Sequence, residues 1–214
     1  MRKMFLALVA AVAGLAMTGP VYGATPNLFP SLGRKLSAQD KADLDRVSAY
    51  LNGIKSMEGS FLQIGPNGQS DHGRFYIEEP GRMRFEYADP NPVLIVADGS
   101  TVLVHNSQLN TTDHYPLSQT PLELILSNRI NLRDRAEIIG LSHGSGTLTV
   151  SARSHSSREQ GNITLVFAEP NVELRQWTVV DAQGLSTTVA LRNVQFGASM
   201  ADTLFKFADK TKGQ

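Results

Sequence analysis

The period of the apolar residues constrains this chain more than any other feature of its sequence. In residues 82–87 (RMRFEY), apolar or aromatic residues alternate with charged ones, so Met83, Phe85 and Tyr87 face one way and the three charged side chains face the other. The same period of two runs in short segments through most of the chain from Met57 onward. The sequence therefore predicts a sheet of many short strands.

The predicted strands are bounded by residues that favour turns, chiefly Gly, Pro, Asn and Asp. They are residues 57–64, 72–78, 82–88, 93–97, 101–105, 136–142, 147–153, 162–168, 174–181, 186–196 and 203–207. Because the connections between them are short, neighbouring strands should pair antiparallel in one strongly curved sheet.

Two segments predict helices. Ser37 is placed as an N-cap with Asp40 three residues later, and an apolar stripe with helical spacing follows as far as Ile54. Residues 120–123 (TPLE) predict a second helix start, with Thr at the cap and Pro at the first helical position. So few helices can cover only one face of the sheet. The predicted fold class is mainly β with a few helices (α+β), an incomplete antiparallel barrel of about eleven strands plugged by helices.

The first 23 residues have the composition of a secretory signal peptide. Two basic residues precede an apolar stretch, residues 4–17, and a cleavage-site pattern ends at Gly23. The apolar stretch is shorter than the roughly 20 residues that a membrane span needs. We therefore expect a signal peptide over 1–23, an extended leader over 24–35 and one domain over 36–214. The expected location is the periplasm of a Gram-negative bacterium.

Composition excludes several function classes. The chain has no cysteine, which removes disulfides, thiol nucleophiles and Cys-ligated metals. Its 20 basic and 20 acidic residues give no net charge, unlike most nucleic-acid-binding proteins. None of its five histidines has metal-ligand spacing, and no nucleophile or phosphate-loop motif occurs. The sequence thus predicts no enzyme activity, no metal, no cofactor and no nucleic-acid partner.

Large apolar side chains recur at period-two positions on successive predicted strands. They are Phe61, Phe75, Ile77, Met83, Phe85, Ile163, Leu165, Phe167, Trp177, Val179, Val189 and Leu191. If the sheet curves, all twelve face its concave side. One interpretation is an ordinary solid core. The other is a cavity for an apolar ligand, because two or three helices are too few to fill a wide half-barrel.

Seven short motifs follow one another along the chain, at 59–63 (GSFLQ), 73–75 (GRF), 80–87 (PGRMRFEY), 92–99 (PVLIVADG), 120–121 (TP), 181–184 (DAQG) and 205–207 (FKF). In their order and spacing they resemble the LolA family, the periplasmic carriers of outer-membrane lipoproteins. The resemblance covers nearly all of the chain after the leader. LolB, the outer-membrane receptor of similar fold, would carry a cysteine at its mature start, so the carrier role fits this chain better.

The resemblance implies a helical lid over an apolar cavity that holds the acyl chains of a lipoprotein. It implies a monomeric carrier that takes cargo from an inner-membrane ABC transporter and delivers it to LolB or an equivalent receptor. On this basis the expected cavity residues are Phe61, Phe75, Ile77, Met83, Phe85, Leu94, Val96, Phe167 and Trp177. The expected lid residues are Leu44, Val47, Leu51, Leu122, Ile125 and Leu126.

One position departs from the family pattern. The family commonly has a basic residue before the Pro of the turn between the second and third strands, where it ties the lid to the sheet. Here that residue is Glu79, and Arg82 or Arg84 would have to replace the contact. Two other hypotheses remain open: an envelope lipid sensor of the same fold with a different ligand, and a β-scaffold that binds a protein partner and no lipid.

Overall fold

The computed structural model describes residues 35–155 and 161–207. The expected signal peptide over 1–23 lies outside the described residues, as does the leader over 24–35 apart from Lys35. No helix in the described part of the chain is long and apolar enough to cross a membrane.

One antiparallel sheet of eleven strands forms the body of the protein. The strands are β1 (Ser56–Ile64), β2 (Ser70–Glu78), β3 (Arg82–Tyr87), β4 (Val93–Asp98), β5 (Thr101–Asn106), β6 (Thr111–Pro116), β7 (Ala136–Gly144), β8 (Thr147–Ser154), β9 (Asn162–Ala168), β10 (Glu173–Val180) and β11 (Ser186–Phe196). Their spatial order is β6-β5-β4-β3-β2-β1-β11-β10-β9-β8-β7. The first and last strands meet in the middle, and β6 and β7 form the two edges of an open sheet. The predicted incomplete antiparallel barrel is confirmed.

The register of the strands gathers the large apolar side chains on one face. Phe75 of β2 lies opposite Phe85 of β3, and Phe61 of β1 lies opposite Leu191 of β11. Alternation then places every second residue of each strand on the same inner face. The inner face is buried and continuous with the main hydrophobic core.

Helix α1 (Ala38–Gly53) covers part of this inner face. Its start matches the prediction: the Ser37 hydroxyl accepts from the Asp40 backbone N–H, and the Asp40 carboxylate accepts from the Ser37 N–H at 2.7 Å. This reciprocal capping box satisfies two N–H groups that a helix otherwise leaves free. The apolar stripe of α1 is buried in the core.

Between the two sheet edges the chain crosses over the inner face in a segment of short helical turns, residues 117–135, which we call the crossing segment. It contains a 3-10 turn (Leu117–Gln119), α2 (Glu123–Leu126) and α3 (Leu132–Arg135). The predicted helix is present, but its predicted cap is wrong. The Thr120 hydroxyl donates to the Leu117 carbonyl oxygen within the 3-10 turn, and α2 begins three residues after Thr120.

The sequence misassigned two segments: it missed the edge strand β6, and it predicted a strand over 203–207 where there is none. Strand β6 was not expected because its sequence (TTDHYP) is polar, which an edge strand with one exposed side tolerates. The expected last strand over 203–207 is instead a 3-10 turn, Asp202–Phe205. It lies across the outer face of β3 and β4 and does not pair at an edge.

Candidate functional site

The inner face is built around a cluster of aromatic rings. Phe85 has its ring centroid 4.8 Å from that of Phe61, 5.9 Å from that of Phe75 and 6.0 Å from that of Trp177. Tyr87 packs edge-on against Phe61 at 5.1 Å. These rings come from strands β1, β2, β3 and β10, which the sheet order brings side by side or across the curve. Phe85 is therefore the centre of the apolar wall.

A small enclosed cavity lies between this wall and the crossing segment. Its apolar lining is Met83, Phe85, Ile95, Leu122, Trp177, Val179 and Val189, and its polar lining is Gln63, Tyr87 and Thr187. Among the residues that the structure describes, no Lys, Arg, Asp or Glu lines it. The cavity has a volume of about 20 Å³, room for about one water molecule. The interior is thus almost completely filled by the protein's own side chains.

The predicted cavity residues divide into three groups. Met83, Phe85 and Trp177 line the cavity directly. Phe61, Phe75, Ile77 and Phe167 are on the same inner face, at most 2% exposed, and pack in the core around it. Phe167 lies beneath α1, with its ring 6.0 Å from that of Tyr50.

Leu94 and Val96 are the third group, and their placement in the cavity wall is wrong. Strand β4 pairs Phe85 with Ile95 and Arg84 with Val96, so Ile95 faces inward and Leu94 and Val96 face outward. Residues 93–97 (VLIVA) are apolar on both faces, so alternation could not assign them. The signal that identifies the inward residues is the pairing with β3.

The predicted lid residues are all buried against the inner face. Leu44, Val47 and Leu51 come from α1, and Leu122, Ile125 and Leu126 come from the crossing segment; none is more than 6% exposed. All six belong to the core cluster that contains the aromatic wall. Leu122 lines the inner cavity, and the other five pack in the core around it. That α1 and the crossing segment act as a lid stays a prediction.

A second and larger cleft, of about 830 Å³, lies on the outer face of the sheet beneath the chain's last described residues. Its walls include Glu58, Arg84 and Lys206 beside Leu94 and Phe207. A site for a long apolar group should be enclosed and free of charged side chains, because desolvating them is costly. The smaller inner cavity meets that condition and the outer cleft does not.

Two hydrogen bonds between the Asn52 side chain and the Ile130 backbone join α1 to the crossing segment, and the sequence did not predict them. The Asn52 side chain donates to the Ile130 carbonyl oxygen at 2.7 Å and accepts from the Ile130 N–H at 2.9 Å. This clamp joins the end of α1 to the crossing segment. In the sequence, Asn52 followed by Gly53 indicated only the end of a helix, and the 78-residue separation left no local signal.

Elsewhere the crossing segment is held through Glu123. Its carboxylate accepts from the Arg135 guanidinium at 3.1 Å and from the Ser154 hydroxyl at 3.0 Å. The first contact is within the crossing segment and the second reaches strand β8. The crossing segment is also joined to α1 by an ion pair between Arg133 and Asp45 at 2.8 Å and by a hydrogen bond from the Leu132 N–H to the Ser48 hydroxyl at 3.3 Å.

Glu79 does not bond to the lid. It lines a crevice of about 80 Å³ with residues of α1 and the crossing segment, and its carboxylate accepts from the Gly81 N–H at 3.2 Å. Burial raises the pKa of Glu79 to about 7, and the Gly81 hydrogen bond opposes this only in part. No ion pair to Glu79 is present among the described residues, although Lys55 lines the same crevice.

Arg82 and Arg84, which would have to replace the basic lid contact, bind the last described residues of the chain instead. Arg82 pairs with Asp202 at 2.6 Å, and Arg84 donates to the Leu204 carbonyl oxygen at 3.1 Å. Both contacts hold the last described residues against the outer face. Neither arginine replaces the family's lid contact.

A cluster of charges joins α1 to the far edge of the sheet. Both ring nitrogens of His143 face carboxylates, Nδ1 at 3.1 Å from Glu169 and Nε2 at 3.1 Å from the fully buried Asp43. Arg46 also bonds both carboxylates, at 3.0 Å and 3.3 Å. The hydrogen bonds to Glu169 and then Asp43 raise the pKa of His143. For Asp43, burial acts to raise the pKa, but hydrogen bonds from Gln39, His143 and Arg46 lower it overall.

Within the described residues no group of three or more His, Asp or Glu side chains is placed to hold a metal ion. The chemistry that the site offers is apolar contact, together with a few neutral hydrogen-bonding groups.

Comparison with known proteins places the sequence in one family. Residues 52–208 match the family model described as outer membrane lipoprotein carrier protein LolA. An outer-membrane lipoprotein carrier protein of Coxiella burnetii is 27% identical over 187 residues, which cover 83% of this chain and 87% of that protein. A protein of the same name from Chromobacterium violaceum is 26% identical over 195 residues, covering 85% and 93%.

A solved structure shares the fold. It is a domain assigned provisionally as an outer membrane lipoprotein-sorting protein, from Vibrio parahaemolyticus, with a TM-score of 0.50 and 8% sequence identity. The match covers 79% of this chain and 97% of that one.

Proposed function

Because the chain belongs to the LolA family of outer-membrane lipoprotein carriers, we propose that it is a periplasmic chaperone for acylated lipoproteins. It accepts a lipoprotein released by an inner-membrane ABC transporter, covers the acyl chains with the inner face of its sheet and passes them to an outer-membrane receptor, LolB or an equivalent. It is not an enzyme, and it works as a monomer. The observation that carries the proposal is the apolar wall of the inner cavity beneath α1 and the crossing segment.

The physical need for such a carrier is large. Burial of each methylene group lowers the free energy by about 0.8 kcal/mol, so releasing one sixteen-carbon chain from a membrane into water costs roughly 12 kcal/mol. A carrier must offer nearly equivalent apolar surface yet let the chain leave. The inner face offers it, with rings and aliphatic side chains and no charge along the cavity.

The cavity of about 20 Å³ cannot admit an acyl chain unless the lid moves. Leu122, Ile125 and Leu126 occupy the apolar wall in the closed form. An acyl chain therefore competes with the lid's own side chains for the same surface. Uptake exchanges one set of apolar contacts for another, and closing of the lid favours release at the receptor.

The single tryptophan makes this exchange measurable. Trp177 lines the cavity and is 4% exposed. We expect a diacylated cysteine peptide with brominated acyl chains to quench the fluorescence of Trp177, because bromine acts only on near contact. The unbrominated peptide is the control for effects of lid movement alone. Quenching by neither a brominated lipopeptide nor a brominated fatty acid would contradict the lipid-carrying function.

A further inference from the structure

Three polar side chains stand at one end of the otherwise apolar cavity. Gln63 of β1 pairs with Val189 of β11, and Thr187 lies two residues before Val189 on the same inner face. Tyr87 of β3 reaches Gln63 from the other side. The Tyr87 hydroxyl donates to Gln63 Oε1 at 2.6 Å. All three lie near strand ends on the same rim of the barrel: Gln63 is the next-to-last residue of β1, Tyr87 the last of β3 and Thr187 the second of β11.

The hydrogen-bonding capacity of this cluster is incomplete. Thr187 is 5% exposed, and its Oγ1 atom has no hydrogen-bond partner among the described residues. Gln63 is 2% exposed; its carbonyl oxygen accepts from the Tyr87 hydroxyl, and its side chain lines the cavity. Buried polar groups in native proteins are nearly always paired, so the unpaired Thr187 hydroxyl at the cavity indicates a partner that the closed form lacks.

We propose that Gln63 and Thr187, with Tyr87 fixing the orientation of Gln63, bind the neutral carbonyl oxygens by which acyl chains are joined to a lipoprotein. This inference rests on the proposed function and adds a polar subsite to it. The unpaired Thr187 hydroxyl and the Gln63 amide N–H groups are donors suited to an ester or amide carbonyl.

The charge of the cavity separates this ligand from a free fatty acid. A carboxylate brought into the cavity would lose its hydration without a cation to pair with, because no Lys or Arg lines the cavity. A neutral ester or amide has no such cost. The hydrocarbon itself has no polar atom, so the cluster contributes only where the chain meets its linkage. The cluster therefore favours an acyl ester or amide over both a fatty acid and a plain hydrocarbon.

The test compares two synthetic ligands on the mature protein: a cysteine peptide with two ester-linked palmitoyl chains, and the same peptide with ether-linked chains of equal length. The wild-type protein should bind the ester form about three- to tenfold more tightly, the range expected for one or two neutral hydrogen bonds. Thr187→Val and Gln63→Met should reduce this preference by lowering ester affinity and leaving ether affinity unchanged.

Thr188→Val is the matched control. Thr188 is the next residue of β11, and its hydroxyl faces the other side of the sheet, 2.8 Å from that of Thr178. This variant should keep the ester preference. Thr187→Val should also be at least as stable to urea as the wild type, since replacing an unpaired buried hydroxyl by a methyl group of the same shape removes no bond.

Equal affinity of the wild-type protein for ester and ether ligands would overturn the polar subsite and leave the carrier function standing. So would tighter binding of palmitate than of the ester. Binding of neither lipopeptide would overturn both proposals together.

Discussion

Glu79 is the residue at which this chain differs most clearly from the family's usual lid contact. Its carboxyl lies in the crevice between the β2–β3 turn, the end of α1 and the crossing segment. Where the family uses a fixed positive charge, this protein has an acid whose pKa is raised by burial to about 7 from 4.5. The closed form therefore favours the protonated carboxyl.

This gives a stability prediction for Glu79→Gln. A carboxyl with a raised folded pKa destabilises the fold progressively as pH rises from about 4.5 to 7, because the unfolded chain ionises first. Gln keeps an acceptor for the Gly81 N–H without the charge. The variant should be more stable than the wild type at pH 8 and nearly equal to it at pH 4, as measured by urea unfolding.

Glu78→Gln is the control for this prediction. The Glu78 carboxylate faces the Arg82 guanidinium at 3.0 Å, so losing its charge should not stabilise the protein at pH 8. A Glu79→Gln variant with no gain at pH 8 would contradict the assignment of a buried, disfavoured charge.

The sequence predicts side-chain facing well where one side of a strand is polar. Met83 and Phe85 alternate with arginines, and both line the cavity as expected. Leu94 and Val96 sit in a strand without polar residues, where only the register with β3 decides the face. The polar cavity residue Thr187 carried no signal at all, because Thr is common on either face of a strand.

At the scale of elements, α1 is attached at both ends. Near its start it is joined to the β7–β9 edge by Asp43, His143, Glu169 and Arg46, and at its end the Asn52 clamp joins it to the crossing segment. A neutral imidazole can donate from only one ring nitrogen, and both nitrogens of His143 face carboxylates. Protonation of His143 completes the first attachment and balances two acids with two cations.

The pH dependence of this attachment follows from the direction in which the pKa of His143 is shifted. The folded pKa of His143 is raised above 6.5, so its contribution to stability is full below pH 6.5 and is lost as pH rises through the folded pKa. His143→Gln should therefore lower stability at pH 6 and have little effect at pH 9. Urea unfolding at the two pH values measures this, with the exposed His114 as the His114→Gln control. An equal loss at both pH values would show that only packing is affected.

The Asn52 clamp is predicted to hold the crossing segment against the end of α1 and so to limit opening of the cavity. Asn52→Ala removes both bonds to Ile130, each worth about 0.5 to 1.5 kcal/mol, so the open form should become several-fold more populated. The variant should bind an apolar fluorescent dye more strongly than the wild type while keeping its far-ultraviolet circular dichroism.

Asn128→Ala is a matched control, because Asn128 is exposed in the same crevice. It should leave dye binding unchanged. If Asn52→Ala binds no more dye than the control, the clamp does not limit opening.

Long-range contacts explain which elements could be predicted. The capping box of α1 is local and was expected from Ser37 and Asp40. The strand order follows from the short connections between strands. The starts of α2 and α3 depend instead on how the crossing segment packs on the inner face of the sheet. The alternating residues 203–207 (TLFKF) resembled a strand, but Phe205 is buried on the outer face, with its ring centroid 5.3 Å from the Arg82 guanidinium carbon.

At the scale of the whole molecule, the protein is an open sheet that closes on its own lid. Its two edges, β6 and β7, are spanned by the crossing segment, so opening the cavity need not break a strand pair. In the proposed carrier cycle the apolar wall stays the same, and an acyl chain replaces the side chains that cover it here. This arrangement suits a carrier, which must bind strongly enough to extract a lipid and weakly enough to deliver it.

The most direct measurement is release of a lipoprotein from spheroplasts. The purified mature protein is added to spheroplasts of its own species that are making a radiolabelled outer-membrane-type lipoprotein. We expect the labelled lipoprotein to appear in the supernatant as a one-to-one complex, above the level in buffer alone. No release by a folded protein, with its own transporter present, would contradict the carrier function.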